Sequence, residues 1–184
     1  MLGFFKLILG CMFSGKTTEL QKEFAEWSSI GKIPLCINYI GDNRYGNIYN
    51  HMYNHNNNSI ECIKVKNLAD VKEEDVKKSE IILINEGQFF SDIVEYTLKW
   101  CEEYGKKVYV CGLDGDFQRK PFGRILELIP FADDYVKLTA YCKDCGNGTK
   151  ALFTKRITSN MEQEVIGGAD VYKAVCRKCY LKKE

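Results

Sequence analysis

Gly10-Cys11-Met12-Phe13-Ser14-Gly15-Lys16-Thr17 follows directly on the apolar run Phe4–Leu9 and opens a stretch of helical spacing, and that order decides the fold. The octapeptide matches G-x-x-x-x-G-K-[ST], in which glycines let the backbone turn tightly enough for consecutive N–H groups to surround an anion. The following helix adds the positive end of its dipole. Lys16 brings a point charge toward the β- and γ-phosphates of a nucleotide, and the Thr17 hydroxyl is placed to ligate Mg²⁺. A chance turn with a capping lysine would not explain strand, loop and helix in this sequence. The reading is nucleoside triphosphate binding, with the reaction left open.

Working outward, Ile33–Ile40, Ile81–Ile84, Val108–Leu113 and Tyr135–Tyr141 join Phe4–Leu9 as short apolar segments bounded by Gly, Asn or Asp, and read as strands. Helical spacing lies between them. Thr17–Ile30 sets Leu20, Phe24, Trp27 and Ile30 about one turn apart and ends at Gly31, a natural C-cap. Ser91–Tyr104 starts from Ser91 as N-cap, aligns Val94, Leu98 and Cys101, and ends at Gly105. A short helix over Arg124–Ile129 stops before Pro130, and Leu68–Lys78 reads as a charged surface helix. Gly41–Ser59, with seven asparagines and no period, reads as a loop. Strands alternating with helices predict an α/β fold, a mostly parallel sheet covered on both faces. From Cys142 onward the pattern changes to turns and short β-like runs such as Ala151–Ile157. A boundary near residue 140 is expected, giving a nucleotide-binding α/β domain over 1–140 and a small cysteine-bearing domain over 141–184.

Composition agrees. The 184 residues suggest one domain with a small appendage, and 45% hydrophobic with 28% charged residues is a globular balance. The net charge of +1 advertises neither a nucleic acid nor a membrane surface as partner, although residues 1–139 hold 17 basic against 20 acidic side chains and 140–184 hold 9 against 5. The apolar stretch Met1–Phe13 is broken by Lys6, is far shorter than the roughly 20 residues of a spanning helix, and lacks a signal peptide's basic start. A soluble, cytoplasmic protein is expected. The sequons at Asn57 and Asn147 then read as chance.

Of nine cysteines, Cys11, Cys36, Cys62, Cys101 and Cys111 are isolated and read as small buried hydrophobes. The other four form Cys142-x-x-Cys145 and Cys176-x-x-Cys179, two knuckles 30 residues apart. Four thiolates satisfy tetrahedral Zn²⁺ and leave no open position, which makes the metal structural. Zinc would close a long segment that hydrophobic burial alone would hold poorly. A disulfide pair or a redox C-x-x-C suits an intracellular chain without a thioredoxin-like context less well. A zinc ribbon binding nucleic acid remains open. At the end of the strand Ile81–Ile84 stand Asn85 and Glu86, at the carboxyl edge where ligands sit in open α/β sheets. A carboxylate there can accept the proton of a substrate hydroxyl; a solvated strand-end charge is the alternative.

The segments GCMFSGKTTEL (10–20), DNRY (42–45), EGQFF (86–90), LDGDFQRKPFG (113–123), VKLTAYC (136–142), TKR (154–156), VIGGADVY (165–172) and VCRKCY (175–180) together resemble the thymidine kinases of the P-loop, zinc-containing family, over nearly the whole chain. The resemblance implies ATP- and Mg²⁺-dependent phosphorylation of thymidine (deoxyuridine being a second candidate substrate), with structural zinc, a P-loop parallel sheet with flanking helices, and a lasso loop carried by the zinc module. Glu86 matches the family's catalytic base. Gly10 to Thr17, Asp42, Asn43, Arg44, Asn85 and Gln88 fall on the ATP side, where Arg44 would neutralise the transferred group or else stay solvated. The base would be held by Phe89, Leu113 and Phe117, the last stacking on it, and by the lasso residues Gln163, Glu164, Val165, Ile166 and Gly167, followed by Gly168 and Tyr172. Lasso backbone groups would read the thymine edge, the diglycine allowing close approach. For Phe117 and Tyr172 ordinary packing is the competing reading. The resemblance further implies a homotetramer, feedback inhibition by dTTP and no stable nucleic-acid partner.

One departure stands out. The family pattern has Asp where this chain has Asn85, and Mg²⁺ prefers hard anionic oxygen. The expectation is an active kinase with a raised Mg²⁺ requirement, a degraded protein that binds ATP but turns over slowly being the alternative. The competing class, a P-loop ATPase with a nucleic-acid-binding zinc ribbon, predicts strongly salt-dependent binding. A small GTPase is disfavoured because the chain has no N-K-x-D sequence.

Overall fold

The computed structural model describes residues 2–42, 51–53 and 59–182. Its centre is a six-stranded sheet in the order β5-β2-β6-β7-β1-β8, made of β1 (Phe4–Gly10), β2 (Leu35–Tyr39), β5 (Ile63–Val65), β6 (Ile81–Ile84), β7 (Lys107–Gly112) and β8 (Asp134–Leu138). Every neighbouring pair is parallel. Such a sheet has no solvent face, so its strands are apolar on both sides. Side chains alternate accordingly. Phe5, Leu7, Leu9, Ile82, Ile84, Val108 and Val110 enter one core with Phe90, Ile93, Trp100 and Leu128. Ile8, Ile81, Leu83, Tyr109 and Cys111 enter the other with Leu20, Cys36, Met52 and Cys62.

Helix α1 (Lys16–Ser29) runs from the loop after β1, and its partly buried Phe24 and Trp27 pack on the second core. On the first core's side, α3 (Ile93–Leu98) continues as a π-turn over Lys99–Glu103 that buries Trp100. The predicted Ser91 cap is not used. Asp92 occupies the cap position, and its carboxylate accepts instead from the Leu68 and Ala69 N–H groups at 3.1 and 2.9 Å, capping a neighbouring turn.

Three other local expectations are corrected. Leu68–Lys78 is not one helix but a 3₁₀ turn (Leu68–Asp70) and a short α2 (Glu73–Lys78); extended backbone at Val71 and Lys72 separates them, and Val71 is buried in the core. The helix expected over Arg124–Ile129 is instead a 3₁₀ segment, Ile125–Phe131, with Arg124 at its N-cap; it runs through Pro130, and its Ile125 and Leu128 are buried. Gly41–Ser59 is not wholly loop: β3 (His51–Tyr53) pairs antiparallel with β4 (Ser59–Glu61), and Met52 is fully buried. Asn43, Arg44 and the Asn57 sequon lie outside the described residues.

After Leu138 the chain leaves the sheet. β9 (Ala140–Tyr141) pairs with β10 (Lys150–Ala151), β11 (Phe153–Arg156) pairs with β12 (Tyr172–Val175), and α4 (Arg177–Leu181) follows. The predicted strand Tyr135–Tyr141 is therefore two strands in two sheets. Small residues here, Ala140, Ala151, Ala174 and Val175, share a core with Cys11 of the loop after β1, docking the cysteine-bearing end against that loop. Among the described residues, no helix is long and apolar enough to cross a membrane.

Candidate active site

The loops leaving the carboxyl ends of β1, β2, β6 and β7 converge, because parallel strands all deliver their chain to the same edge. The β1 loop is the predicted phosphate cradle. Gly10 has φ 155°, and a Cβ there would meet Ser14 Oγ and the Leu138 carbonyl at 2.6 and 2.7 Å. Gly15 has φ 85° at the N-cap of α1, and Phe13 holds φ 63° without being glycine, a strained geometry of the kind functional loops retain. Lys16 is only 8% exposed and donates to the Cys11 carbonyl at 2.8 Å, which Ser14 Oγ also bonds at 2.8 Å. The Met12 N–H donates to Thr154 Oγ1 at 3.0 Å, tying the cradle to β11.

Glu86 follows β6 in left-handed backbone geometry (φ 56°, ψ 41°) and is 7% exposed. Gln88 Nε2 donates to its Oε2 at 2.6 Å, while Gln88 Oε1 accepts from the Leu113 N–H at 2.9 Å. The carboxylate is thus aimed by an amide that is itself fixed to the end of β7.

Asn85 is 1% exposed and lies in a polar chain crossing the sheet edge. Thr17 Oγ1 and the Cys111 thiol donate to its Oδ1 at 3.3 and 3.0 Å. Its Nδ2 donates to Asn38 Oδ1 at 3.0 Å, and Asn38 Nδ2 donates to Asp42 Oδ2 at 3.2 Å. Two adjacent oxygens, Thr17 Oγ1 and Asn85 Oδ1, suit the hard-ligand preference of Mg²⁺, with Asp42 the carboxylate at the end of the chain.

Beside this edge one cleft is lined by Thr17, Lys16, Met12, Glu86 and Leu113, and an adjoining one by Met12, Glu86, Leu113, Phe89, Asp42 and the lasso residues Val165, Ile166 and Gly167, with Tyr172 behind them. Met12, Glu86 and Leu113 belong to both. Phe89 stacks on Tyr39 with centroids 4.9 Å apart and meets Phe122 edge-on at 5.3 Å. Tyr39 has its hydroxyl pKa raised by burial and by the Glu164 carboxylate. Phe117 packs on the Met12–Leu113–Phe122–Tyr172 cluster, with the Arg156 guanidinium 3.8 Å from its ring centroid. Gln163 Nε2 donates to Asp116 Oδ2 at 2.7 Å. Gly167 lines this cleft, where a Cβ would strike the Val171 side chain, and the Gly168 carbonyl accepts from the Val171 and Tyr172 N–H groups at 3.1 and 2.9 Å, closing a turn.

Sequence reasoning assigned no role to Asn38, Asp116, Thr154 or Arg156, all buried. Asp116, Thr154 and Arg156 sit within quoted motifs, but only their burial marks them. Arg119 lies over the Tyr180 ring at 4.4 Å, which accounts for it through packing.

The four paired cysteines bring their sulfurs within 4.8 Å of one another. Cys145 Sγ lies 3.8 Å from that of Cys176 and 3.5 Å from that of Cys179. A tetrahedron of Zn–S bonds of about 2.3 Å has edges of about 3.8 Å, so the set fits one zinc ion and is far too open for a disulfide. Burial opposes ionisation of Cys142, but N–H groups of Cys176 and Cys145 outweigh it and hold its thiol at about 6.

The profile of the thymidine kinase family matches residues 3–180. The thymidine kinase of vaccinia virus (strain Western Reserve) is 45% identical over 179 residues, 97% of each chain. That of monkeypox virus is 44% identical over the same length. The human cytosolic thymidine kinase is 46% identical over 184 residues, spanning 98% of this chain and 74% of its own. With one cleft joining a phosphate cradle to a buried carboxylate, and with relatives matching end to end, the chain belongs to the thymidine kinase family.

Proposed function

We propose that, within the ATP-dependent phosphorylation of thymidine to which its family membership points, Glu86 is the general base and the loop over residues 163–167 covers the pyrimidine. The observation that carries this reading is the shared wall. Met12, Glu86 and Leu113 line both the cleft over Lys16 and Thr17 and the cleft under Val165–Gly167, so a phosphoryl donor and a nucleoside can meet at Glu86.

In this reading the triphosphate tail lies in the loop Gly10–Thr17, and Lys16 exchanges the Cys11 carbonyl for phosphate oxygens. The nucleoside 5′-hydroxyl gives its proton to Glu86 as its oxygen attacks the γ-phosphorus in line. The new O–P bond forms, the bond to the β-phosphate bridging oxygen breaks, and ADP and dTMP result. Positioning and charge neutralisation supply most of the acceleration. Thr17 and Asn85 would hold Mg²⁺, with Asp42 nearby, and the ion when bound neutralises charge on the phosphates. Asn43 and Arg44 would complete the phosphate side. Phe89, Leu113 and Tyr172 wall the base, and Phe117 supports it from beneath the lasso. Cys142, Cys145, Cys176 and Cys179 would hold zinc, making residues 141–184 a stapled cover on the nucleotide-binding body of residues 1–140. By resemblance we extend the proposal to a homotetramer inhibited by dTTP. The nucleic-acid reading is not favoured, because the cysteine-bearing end packs its core on Cys11 and turns its loop into the cleft.

Glu86→Gln tests the base. Loss of general-base catalysis removes about 10²–10⁴-fold from kcat. Titration calorimetry with ATP would stay near wild type, whereas near-normal turnover with labelled thymidine would remove Glu86 from the mechanism.

A further inference from the structure

Residues 157–171 contain no helix or strand, so their backbone groups need partners from elsewhere. One side chain supplies many of them. Arg156, at the end of β11, is 8% exposed, and its guanidinium is turned inward. Nη1 donates to the Asn160 carbonyl at 3.0 Å and to the Glu162 carbonyl. Nη2 donates to the Gln163 carbonyl at 3.2 Å and to the Tyr172 hydroxyl oxygen at 2.6 Å. Tyr172 extends the set, its hydroxyl donating to the Val165 carbonyl at 2.7 Å. The guanidinium also rests on Phe117. From the other wall of the cleft, Asp116 takes the Gln163 amide on Oδ2, while its Oδ1 accepts the N–H groups of Gln118 and Lys120 at 2.8 and 2.9 Å.

We propose that Arg156 is a positioning residue for the nucleoside: its fork gathers the carbonyls of Asn160, Glu162 and Gln163 and the Tyr172 hydroxyl, and with Asp116 as second anchor it holds the lasso closed over the base. The proposal rests on the reading that this loop covers the pyrimidine. A phosphate-binding role does not suit Arg156, because all four of its terminal N–H groups are already spent on the loop and Tyr172. The Nε has no partner among the described residues, a cost the other four bonds offset. Lysine cannot reproduce the arrangement, since its single ammonium offers three donors from one point rather than a planar fork.

The test compares wild type with Arg156→Met, Arg156→Lys, Tyr172→Phe and Gln163→Ala. It reads the KM for thymidine and for ATP, kcat, zinc content, and deuterium uptake along residues 157–171. Loss of these charge-assisted bonds, all four in Arg156→Met and at least one in Arg156→Lys, raises thymidine KM about tenfold or more in both variants. ATP KM stays within about twofold, zinc content is unchanged, and uptake rises only in the loop. Tyr172→Phe and Gln163→Ala give smaller shifts of the same kind, and they decide the matter if an Arg156 variant loses zinc or fails to fold. Unchanged thymidine KM and uptake overturn the proposal, as does full rescue by lysine or an equal rise in both KM values. Wild-type protein inactive on thymidine would instead sink the proposed function, with the uptake comparison still deciding the clasp.

Discussion

The sheet body and the cysteine-bearing end are built on opposite principles. In the body, β1, β6 and β7 bury Leu7, Ile8, Ile82, Leu83, Ile84, Val108 and Val110 with no exposed surface, and hydrophobic burial on both faces fixes the strands. Beyond Leu138, strands of two to four residues pair only in twos, and their core is mostly alanine and cysteine. What orders that end is polar and discrete: four thiols at metal spacing, a buried arginine on loop carbonyls, and an aspartate on a glutamine. In the proposed function the body is a rigid cradle and the cysteine-bearing end a cover that admits the nucleoside. An element held by a few specific bonds can open locally without unfolding the rest.

The largest expected effect breaks the cover alone. In the proposed reading, Cys142→Ser, or treatment with a chelator, lowers thymidine phosphorylation by about two orders of magnitude or more while ATP binding to the cradle persists, because zinc at the four thiols would supply that end's folding energy. Metal analysis and calorimetry check this; zinc retained with normal thymidine binding would show that the two regions do not differ as described. The converse variant, Leu83→Ala, costs about 2–5 kcal/mol of global stability in urea unfolding and leaves the zinc content alone.

A smaller effect sharpens the comparison at the seam. Asn85→Asp places a carboxylate against the Thr17 hydroxyl and lowers the Mg²⁺ concentration for half-maximal rate by about tenfold or less. It also obliges Asn38 to turn its amide and release Asp42, so a modest fall in melting temperature accompanies it. An unchanged or higher Mg²⁺ requirement contradicts the role given to Asn85.

The smallest effect concerns the body's thiols. Burial pushes Cys36 and Cys62 up to about 12 from the ordinary 9.0. A thiol kept neutral in the fold but ionised when unfolded stabilises fully below pH 9, and that contribution is lost as pH rises toward 12. The urea midpoint should therefore fall across this window, and fall less steeply in Cys36→Ala/Cys62→Ala. Equal slopes would show that neither thiol is held neutral by the core.

Several features were legible from spacing because their physics is local. The cradle depends on glycines and a lysine at fixed offsets, and the strands on short apolar runs. The misreadings share a cause. Val71 breaks a helical pattern because the core takes it, Asp92 abandons its own helix to cap another turn, and Met52 draws an asparagine-rich segment into strand pairing. Each is a tertiary contact overriding a local preference.

By itself the sequence determined a parallel α/β sheet with a phosphate loop on its first strand, a carboxylate at a strand end and a four-thiol cluster, since turn geometry and ligand spacing are written in consecutive residues. Only the tertiary structure decided that Gln88 aims Glu86, that Asn38 turns the Asn85 carbonyl toward Thr17, and that Arg156 and Asp116 grip the lasso from opposite walls. Those side chains meet across long stretches of chain, and a hydrogen bond has no sequence signature until the fold has set its donor against its acceptor.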